Sequence, residues 1–473
     1  HRDLHSFPTR RSSDLRFGCL FSDRCGSAFS FQHMGKTSQQ HTNCLMTQAL
    51  FIVAPASGQG KTTITAGLAW LYRQQGKRVR IFKTGPDFID PMIHEVATGQ
   101  PVYQLDMWMG GEDHVRALLD DAAKTADIIL IEGVMGLFDG TPSSADLAEA
   151  LGVPVLAVID ASSMAQTFGA LAHGLATYRP HLPFWGILAN RVASDLHADL
   201  IASSVREDTP LKGIIRRNAD ASLPERHLGL VQAQELSDLE QRIQQMANQL
   251  AQTSLADATQ LPQVDFNSNQ SLAETPQLLT GKTIAISKDK AFSFLYQANV
   301  DTLQTLGANI LYFSPLLNDT LPDCDAVYLT GGYPELYLDE IAQATRTAED
   351  IRKHHAQGKP ILAECGGMLT LLETLTDKHG KSAPMWGLLS GTAIMQQRLA
   401  ALGMQSVSLP EGELRGHTFH HSVTTTEMTP LTQGVNPHGK GVSEKVYRVG
   451  KLTASYIHLY FPSNPSAAAR LFL

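Results

Sequence analysis

The sequence predicts an α/β protein built from two successive domains, and three observations carry that prediction. Bare aliphatic runs at 50–55 (LFIVAP), 79–83 (VRIFK), 127–132 (DIILIE), 154–160 (PVLAVID) and 184–190 (FWGILAN) alternate with helix-length segments. Such runs belong to strands covered on both faces, as in a mostly parallel sheet with helices on both sides. From 241 to 280 the chain turns to Gln, Asn, Thr, Ser and Ala; the first part can finish a helix, and the rest reads as a linker. A second series then follows at 283–287 (TIAIS), 309–313 (NILYF), 326–330 (AVYLT) and 360–364 (PILAE). The expected organisation is a leader over 1–45, a first domain over 46–240, a linker over 241–280 and a second domain over 281–473.

Length and composition fit this. A chain of 473 residues holds about three domains, or two larger ones. Hydrophobic residues at 43% and charged residues at 18% suffice for sizeable cores. The 38 Lys and Arg against 46 Asp and Glu leave a net charge of −8, which argues against a nucleic-acid partner. No run approaches the roughly 20 apolar residues of a membrane span, so no membrane is expected. Five cysteines, three of them (Cys19, Cys25, Cys44) ahead of the first strand, argue against a disulfide framework and for the reduced cytoplasm.

The leader reads unlike the rest. HRDLHSFPTRRSSDL and the following residues have no sustained period and no signal-peptide core. An organelle transit peptide would suit the Arg and Ser content, but Asp3, Asp14 and Asp23 count against it. The opening resembles a translated sequencing-adapter fragment, so Met46 is the expected start, ahead of Met34, and the abrupt ARLFL end reads as clipped.

The first strand runs directly into PASGQGKTTITAGLAWLY. Ser57, Gly58 and Gly60 let backbone N–H groups approach phosphate oxygens at a helix N-terminus. Lys61 is placed to reach the β/γ-phosphates, and Thr62, followed by Thr63, to ligate Mg²⁺. The loop departs from the usual pattern in having Pro55 where a Gly is expected, and a ligand-free Gly-rich helix entry is the alternative. A Mg·ATP site also needs carboxylates. Candidates lie in KTGPDFIDP (83–91) and EGVMGLFDG (132–140), at later strand ends where ligands of open parallel sheets gather. Asp and Gly in loops are equally ordinary turn residues. Asn190 closes FWGILAN, where it can hydrogen-bond adenine or serve a structural role.

In the second series, AECGGM (363–368) joins a buried-type strand to a helix. A residue on such a turn is presented above the sheet, near backbone oxyanion donors, and a helix N-terminus lowers a thiol's pKa. Lone cysteines are nevertheless most often small buried hydrophobes. LTGGYPELY (329–337) adds a second Gly-rich loop. A thiol nucleophile needs a base. His458 ends an apolar strand and is the first candidate; His417, His420 and His421 form a further cluster with no metal-ligand pattern.

These segments, in the order SGQGKTT, KTGPDFIDP, EGVMGLFDG, LPERHLGL (223–230), LTGGYPELY, AECGGM, RGHTFHHS and ASYIHLYFPSNP, resemble the cobyrinic (or hydrogenobyrinic) acid a,c-diamide synthases. The resemblance runs from Met46 to nearly the end. It implies a P-loop ligase domain similar to dethiobiotin synthetase, then a domain similar to class I glutamine amidotransferases. It further implies ATP-dependent amidation of the c- and then the a-acetate of cobyrinate or hydrogenobyrinate, with ammonia released from L-glutamine at Cys365 and passed internally. His458 would activate the thiol, and Gly331, Gly332 and Gly366 would form the glutamine and oxyanion site. The loop residues Ser57–Thr63 and Asn190 would bind ATP. Asp87, Asp90, Glu132 and Asp139 would carry metal or corrinoid roles beside Phe88 and Ile89, with Thr62 and Glu132 as Mg²⁺ ligands. Many class I amidotransferases carry a Glu two residues after the His; Tyr460 stands there, so a Cys–His dyad with no third member is expected. The segment after EGVMGLFDG is short and leaves Ser143 and Ser144 without a role. Alternatives are amidation of another tetrapyrrole, as by cobyric acid synthases or on nickel-sirohydrochlorin, and a partition-type ATPase switch. A homodimer is compatible with the sequence but not dictated by it.

Overall fold

The computed structural model describes residues 46–226, 229–267, 276–437, 439 and 441–473. The expected leader, and with it the choice of start residue, lies outside the described residues, as do His227 and Leu228 of LPERHLGL.

Strands β1 (Met46–Val53), β2 (Val79–Thr84), β3 (Tyr103–Leu105), β4 (Ile128–Glu132), β5 (Val155–Asp160), β6 (Phe184–Val192) and β7 (Leu211–Arg216) make one parallel sheet in the order β3-β2-β4-β1-β5-β6-β7. Helices α1 (Lys61–Gln74), α2 (Ile89–Thr98), α3 (Glu112–Ala123), α4 (Ser144–Leu151), α5 (Thr167–Thr177), α6 (Asp195–Ser204) and α7 (Leu239–Leu250) cover its faces. The aliphatic runs explain why both faces are needed. Successive side chains alternate across a strand, so Ala49, Phe51 and Val53 enter a core with Val115, Leu147, Phe168 and Ile201, while Leu50 and Ile52 enter another with Ile64, Leu68, Ile93 and Met246. The edge strands β3 and β7 were not foreseen: the first has three residues, and LKGIIR mixes polar with apolar.

The stretch expected to be a linker over 241–280 is structured for more than half its length. Helix α7 lays Leu239, Ile243, Met246, Ala247 and Leu250 against α1, a helical stripe that Gln and Asn on the other face disguise. Beyond two short helical turns, residues Gln263–Asp265 pair antiparallel with Met46–Gln48 of β1, and Phe266 is buried in the first-half core. Residues 268–275 lie outside the described residues.

In the second half, Thr283–Ser287, Asn309–Phe313, Ala326–Leu329, Ile361–Glu364 and Leu452–Ser455 run parallel, and Lys445–Val449 and Thr432–Gln433 extend this sheet antiparallel. A long hairpin, Ala401–Leu409 with Gly412–His420, pairs antiparallel with His458–Tyr460. A smaller sheet contains Thr374–Thr376, Ser382–Pro384, Thr392–Met395 and Ser422–Thr425. The two halves belong to one compact unit. Among the described residues no helix is long and apolar enough to cross a membrane.

Candidate active site

The loop between β1 and α1 turns at Gly58 (φ 76°) and Gly60 (φ 94°), both in the left-handed region that favours glycine. A Cβ on Gly60 would sit 2.4 Å from Nδ2 of Asn190. That amide donates to the Gln59 carbonyl (2.8 Å), its oxygen accepts the Arg191 N–H (2.9 Å), and the Arg191 guanidinium reaches the Gly58 carbonyl (2.9 Å) and Asp160 (2.6 Å). Asn190 thus ties the end of β6 to the loop through its Nδ2, while its oxygen is held by the N–H of the next residue. The Pro55 carbonyl lies 2.6 Å from where a Cβ on Gly136 would stand, so this loop and the 132–140 segment pack too closely for a side chain there.

Behind the loop lies a buried charge cluster. Lys61 Nζ donates to the carbonyls of Met135 (2.7 Å) and Ala56 (3.4 Å), and burial lowers its pKa. Thr62 donates its hydroxyl to Glu132 Oε1 (2.8 Å). Glu132 is fully buried; burial works against its charge, but Lys83 and His94 hold it well below the usual carboxylate range. Lys83 Nζ lies 2.8 Å from Asp90, 3.1 Å from Glu132 and 3.8 Å from Asp87, and His94 Nε2 contacts the second oxygen of Glu132. Burial alone would lower the Lys83 pKa, yet these carboxylates raise it. Burial, then the neighbouring Asp90, pushes Asp87 up to about 7. Asp139 is exposed, accepts the Gly136 N–H (3.0 Å), and its charge favours the cationic form of Lys61.

The second half presents Cys365 on a sharp strand-to-helix turn at φ 43°, ψ −108°, its N–H bonded to the Ser455 carbonyl (2.7 Å). Such strain in a non-glycine residue persists where the surroundings enforce it. Glycines make room here: a Cβ on Gly366 would lie 2.9 Å from both backbone N and O of Gly332, and one on Gly331 would lie 2.3 Å from Cε1 of His458. The expected helix-driven lowering of the thiol pKa is corrected, since burial dominates and raises it, with Glu335 adding to the effect. His458 is buried and stacked on His417 (5.0 Å, 19°). Burial, then His417, holds its pKa well below the ordinary value, which leaves the neutral imidazole a base requires. Of the histidines clustered at 417–421, His417 bonds the Tyr296 hydroxyl (2.9 Å) and His420 bonds Glu444 (2.9 Å), while Nε2 of His421 has no hydrogen-bond partner among the described residues. Among the described residues no three His, Cys, Asp or Glu side chains are grouped to hold a metal.

The two centres touch. Phe88, between Asp87 and Ile89, stacks on Phe294 (5.0 Å, 3°) and lies 4.5 Å from Tyr296 and 5.0 Å from His458. A cavity of about 600 Å³ opens there, lined by Phe88, Met135 and Ser144 from the first half and Leu402, Phe419 and His458 from the second.

Residues 50–231 match the CobQ/CobB/MinD/ParA nucleotide binding domain family, and residues 283–466 the CobB/CobQ-like glutamine amidotransferase domain family. The chain is 59% identical over 423 residues to a hydrogenobyrinate a,c-diamide synthase of Stutzerimonas stutzeri, spanning 89% of this chain and 98% of the relative. It is 54% identical over 430 residues to the enzyme of that name in Pseudomonas aeruginosa, spanning 90% and 98%. A cobyrinate a,c-diamide synthase of Herminiimonas arsenicoxydans is 49% identical over 424 residues, spanning 89% and 96%. The chain belongs to the hydrogenobyrinate/cobyrinate a,c-diamide synthase family.

For a member of this family, sequence reasoning overlooked Lys83 and His94, although both touch Glu132. A lysine closing the apolar strand VRIFKT is the signal that was available, because a buried charge is tolerated only when paired. His94 follows Asp90 by one helical turn. Ser143 caps α4 in a reciprocal bond pair with Asp146, and Ser144 lines the shared cavity.

Proposed function

We propose that this protein converts the a- and c-acetate carboxylates of hydrogenobyrinate or cobyrinate to amides, using ATP and ammonia taken from glutamine. At the second centre Cys365 attacks the glutamine side-chain amide to form a thioester. His458 takes the thiol proton and passes it to the departing ammonia, while backbone N–H groups at Gly332 and Gly366 receive the oxyanion. Water then releases glutamate. At the first centre the loop Ser57–Thr63 receives the ATP phosphates at the N-terminus of α1, and Lys61 faces the charge that builds on the transferred phosphoryl group. The acceptor carboxylate becomes an acyl phosphate, ammonia attacks its carbon, and phosphate leaves. Asp87 and Asp90, held by Lys83, orient the substrate side of this loop.

Thr62 and Glu132 are hard oxygen donors 2.8 Å apart, and Mg²⁺ is ordinarily held by one or two such groups together with phosphates and water, so this pair fits the ion. When bound with the nucleotide, it would supply charge neutralisation at the phosphates.

The observation that supports the reading is the position of Phe88: it joins the acid-rich loop of the ligase half to the imidazole of the glutaminase half at 5.0 Å. The test is Cys365→Ala with either corrinoid, ATP and Mg²⁺, followed by mass spectrometry. Glutamine should support no conversion, and ammonium chloride should still support two successive changes of carboxylate to amide. Absence of amidation by the unaltered protein with both corrinoids and both nitrogen sources would refute the reading.

A further inference from the structure

We infer that Glu364, the residue immediately before the nucleophile, is the positioning carboxylate of His458. The inference rests on the glutaminase reading above and starts from a polar atom without a partner. His458 Nδ1 is buried and makes no hydrogen bond among the described residues. Buried polar nitrogens are nearly always bonded, so an exception asks for an explanation. Tyr460, two residues on, does not supply one: its hydroxyl bonds His114 of the ligase half at 2.8 Å.

Glu364 Oε2 lies 4.0 Å from His458 Nδ1, and both side chains are almost wholly excluded from solvent. The carboxyl is fixed by two bonds: the Tyr328 hydroxyl donates to Oε2 (2.8 Å), and the backbone N–H of Leu459 donates to Oε1 (3.0 Å). Leu459 adjoins His458, so the second bond ties the carboxyl to the strand that bears the base. The ionisable groups facing Glu364 are Tyr328, Tyr296, Cys365 and His458. Of these, His458 is the group that becomes cationic when it accepts a proton.

Strand geometry makes the arrangement available. Ile361–Glu364 runs parallel to Leu452–Ser455 with Glu364 opposite Ser455, and the chain after Ser455 turns to bring His458 over the same strand end. Cys365 leaves the strand immediately after Glu364, at φ 43°, and on this inference the thiol serves Nε2 of the imidazole while the carboxyl serves Nδ1. When Cys365 gives its proton to Nε2, the Nδ1–H closes onto Glu364, which fixes the ring's tautomer and balances the imidazolium; the carboxyl itself gains no proton. Hydrogen bonds of this type are often long before substrate arrives and tighten afterwards. Burial pushes the Glu364 carboxyl up to about 8, so its ionisation, and the support it gives the imidazolium, grow as pH rises toward that value.

A purely structural Glu364 would tie down Leu459 and do nothing more, and Gln can perform that task. The experiment is Glu364→Gln in the full chain, with glutamate release measured from pH 6 to 9, iodoacetamide alkylation of Cys365 over the same range, and corrinoid amidation driven by ammonium chloride. By analogy with the loss when a protease's orienting Asp becomes Asn, we expect glutamate release to fall by roughly 10²-fold or more. The alkaline rise in both thiol measurements should also flatten, with ammonia-driven amidation kept. Glutamate release within about threefold of the unaltered protein, with an unchanged pH profile, would overturn the inference while leaving the glutaminase reading intact. A parallel fall in ammonia-driven turnover would also overturn it, because it would assign Glu364 to folding. Failure of the unaltered protein to release glutamate would overturn both.

Discussion

Gly331→Ala is a one-atom perturbation aimed at the glutaminase base. Gly331 is not in the left-handed region, so alanine meets no backbone strain there. The added Cβ would stand 2.3 Å from Cε1 and 3.0 Å from Nδ1 of His458. Ordinary contact begins near 3.4 Å, so the ring must retreat by about 1 Å to relieve the overlap. It has little room to do so, being stacked on His417 at 5.0 Å and packed against Phe88 at 5.0 Å. Displacing a catalytic group by about 1 Å costs roughly 10²-fold in rate, or about 2.7 kcal/mol. We therefore expect glutamine-dependent turnover to drop by that factor, with ammonia-dependent amidation within about threefold of the parent. Steady-state glutamate release, paired with mass spectrometry of the corrinoid under ammonium chloride, measures both. A Gly331→Ala protein that hydrolyses glutamine at the parental rate would refute the placement of His458 against this glycine.

Lys83→Met keeps the apolar stem but leaves the fully buried Glu132 and the half-buried Asp90 beside an uncharged side chain. Removing one partner of such a cluster should lower stability by about 3–5 kcal/mol in urea unfolding, and a loss below about 1 kcal/mol would contradict the paired geometry. Asp87 should leave a signature in the pH dependence of stability. Its carboxyl is raised from 3.8 to about 7 in the folded protein, so between those values the native state holds a proton that the unfolded chain has released. Stability then falls as pH rises through that window, and Asp87→Asn should flatten this part of the urea-midpoint profile. Glu132, held below its usual range, acts with the opposite sign and loses its contribution only in strong acid.

What the sequence disclosed follows from how each residue signals its environment. The strands of the first sheet were legible because a strand buried on both faces must be continuously aliphatic, as IILIE is. The turns before Lys61 and at Cys365 were legible because glycines mark the places where a strand gives way sharply to a helix. Helix α7 was legible only as the end of a helix running into a linker: its five buried residues sit among Gln and Asn, and that composition masked the ordered chain that continues to Phe266. The antiparallel hairpin Ala401–His420 was hidden for a related reason: LGMQSVSL and GELRGHTFH alternate sides irregularly and carry polar residues into the interior, among them Gln405 and His417. Asn190 carried two readings in the sequence, because a strand-end amide has the same letter whether it faces a ligand or the carbonyl of Gln59.

The path of the chain through α7 and Gln263–Asp265 also determines where this protein can be divided. A gene cut at the compositional break near 240 would take from the first half the helix whose Met246 lies 2.5 Å from where a Cβ on Gly67 would stand, along with the strand paired to Met46–Gln48. Swapping ligase halves between relatives, or expressing the halves as separate polypeptides, therefore calls for a junction beyond Phe266, the last residue of this stretch buried in the first-half core. The apparent tether is the final segment of one half, and its sparing use of hydrophobic letters is enough to complete that half.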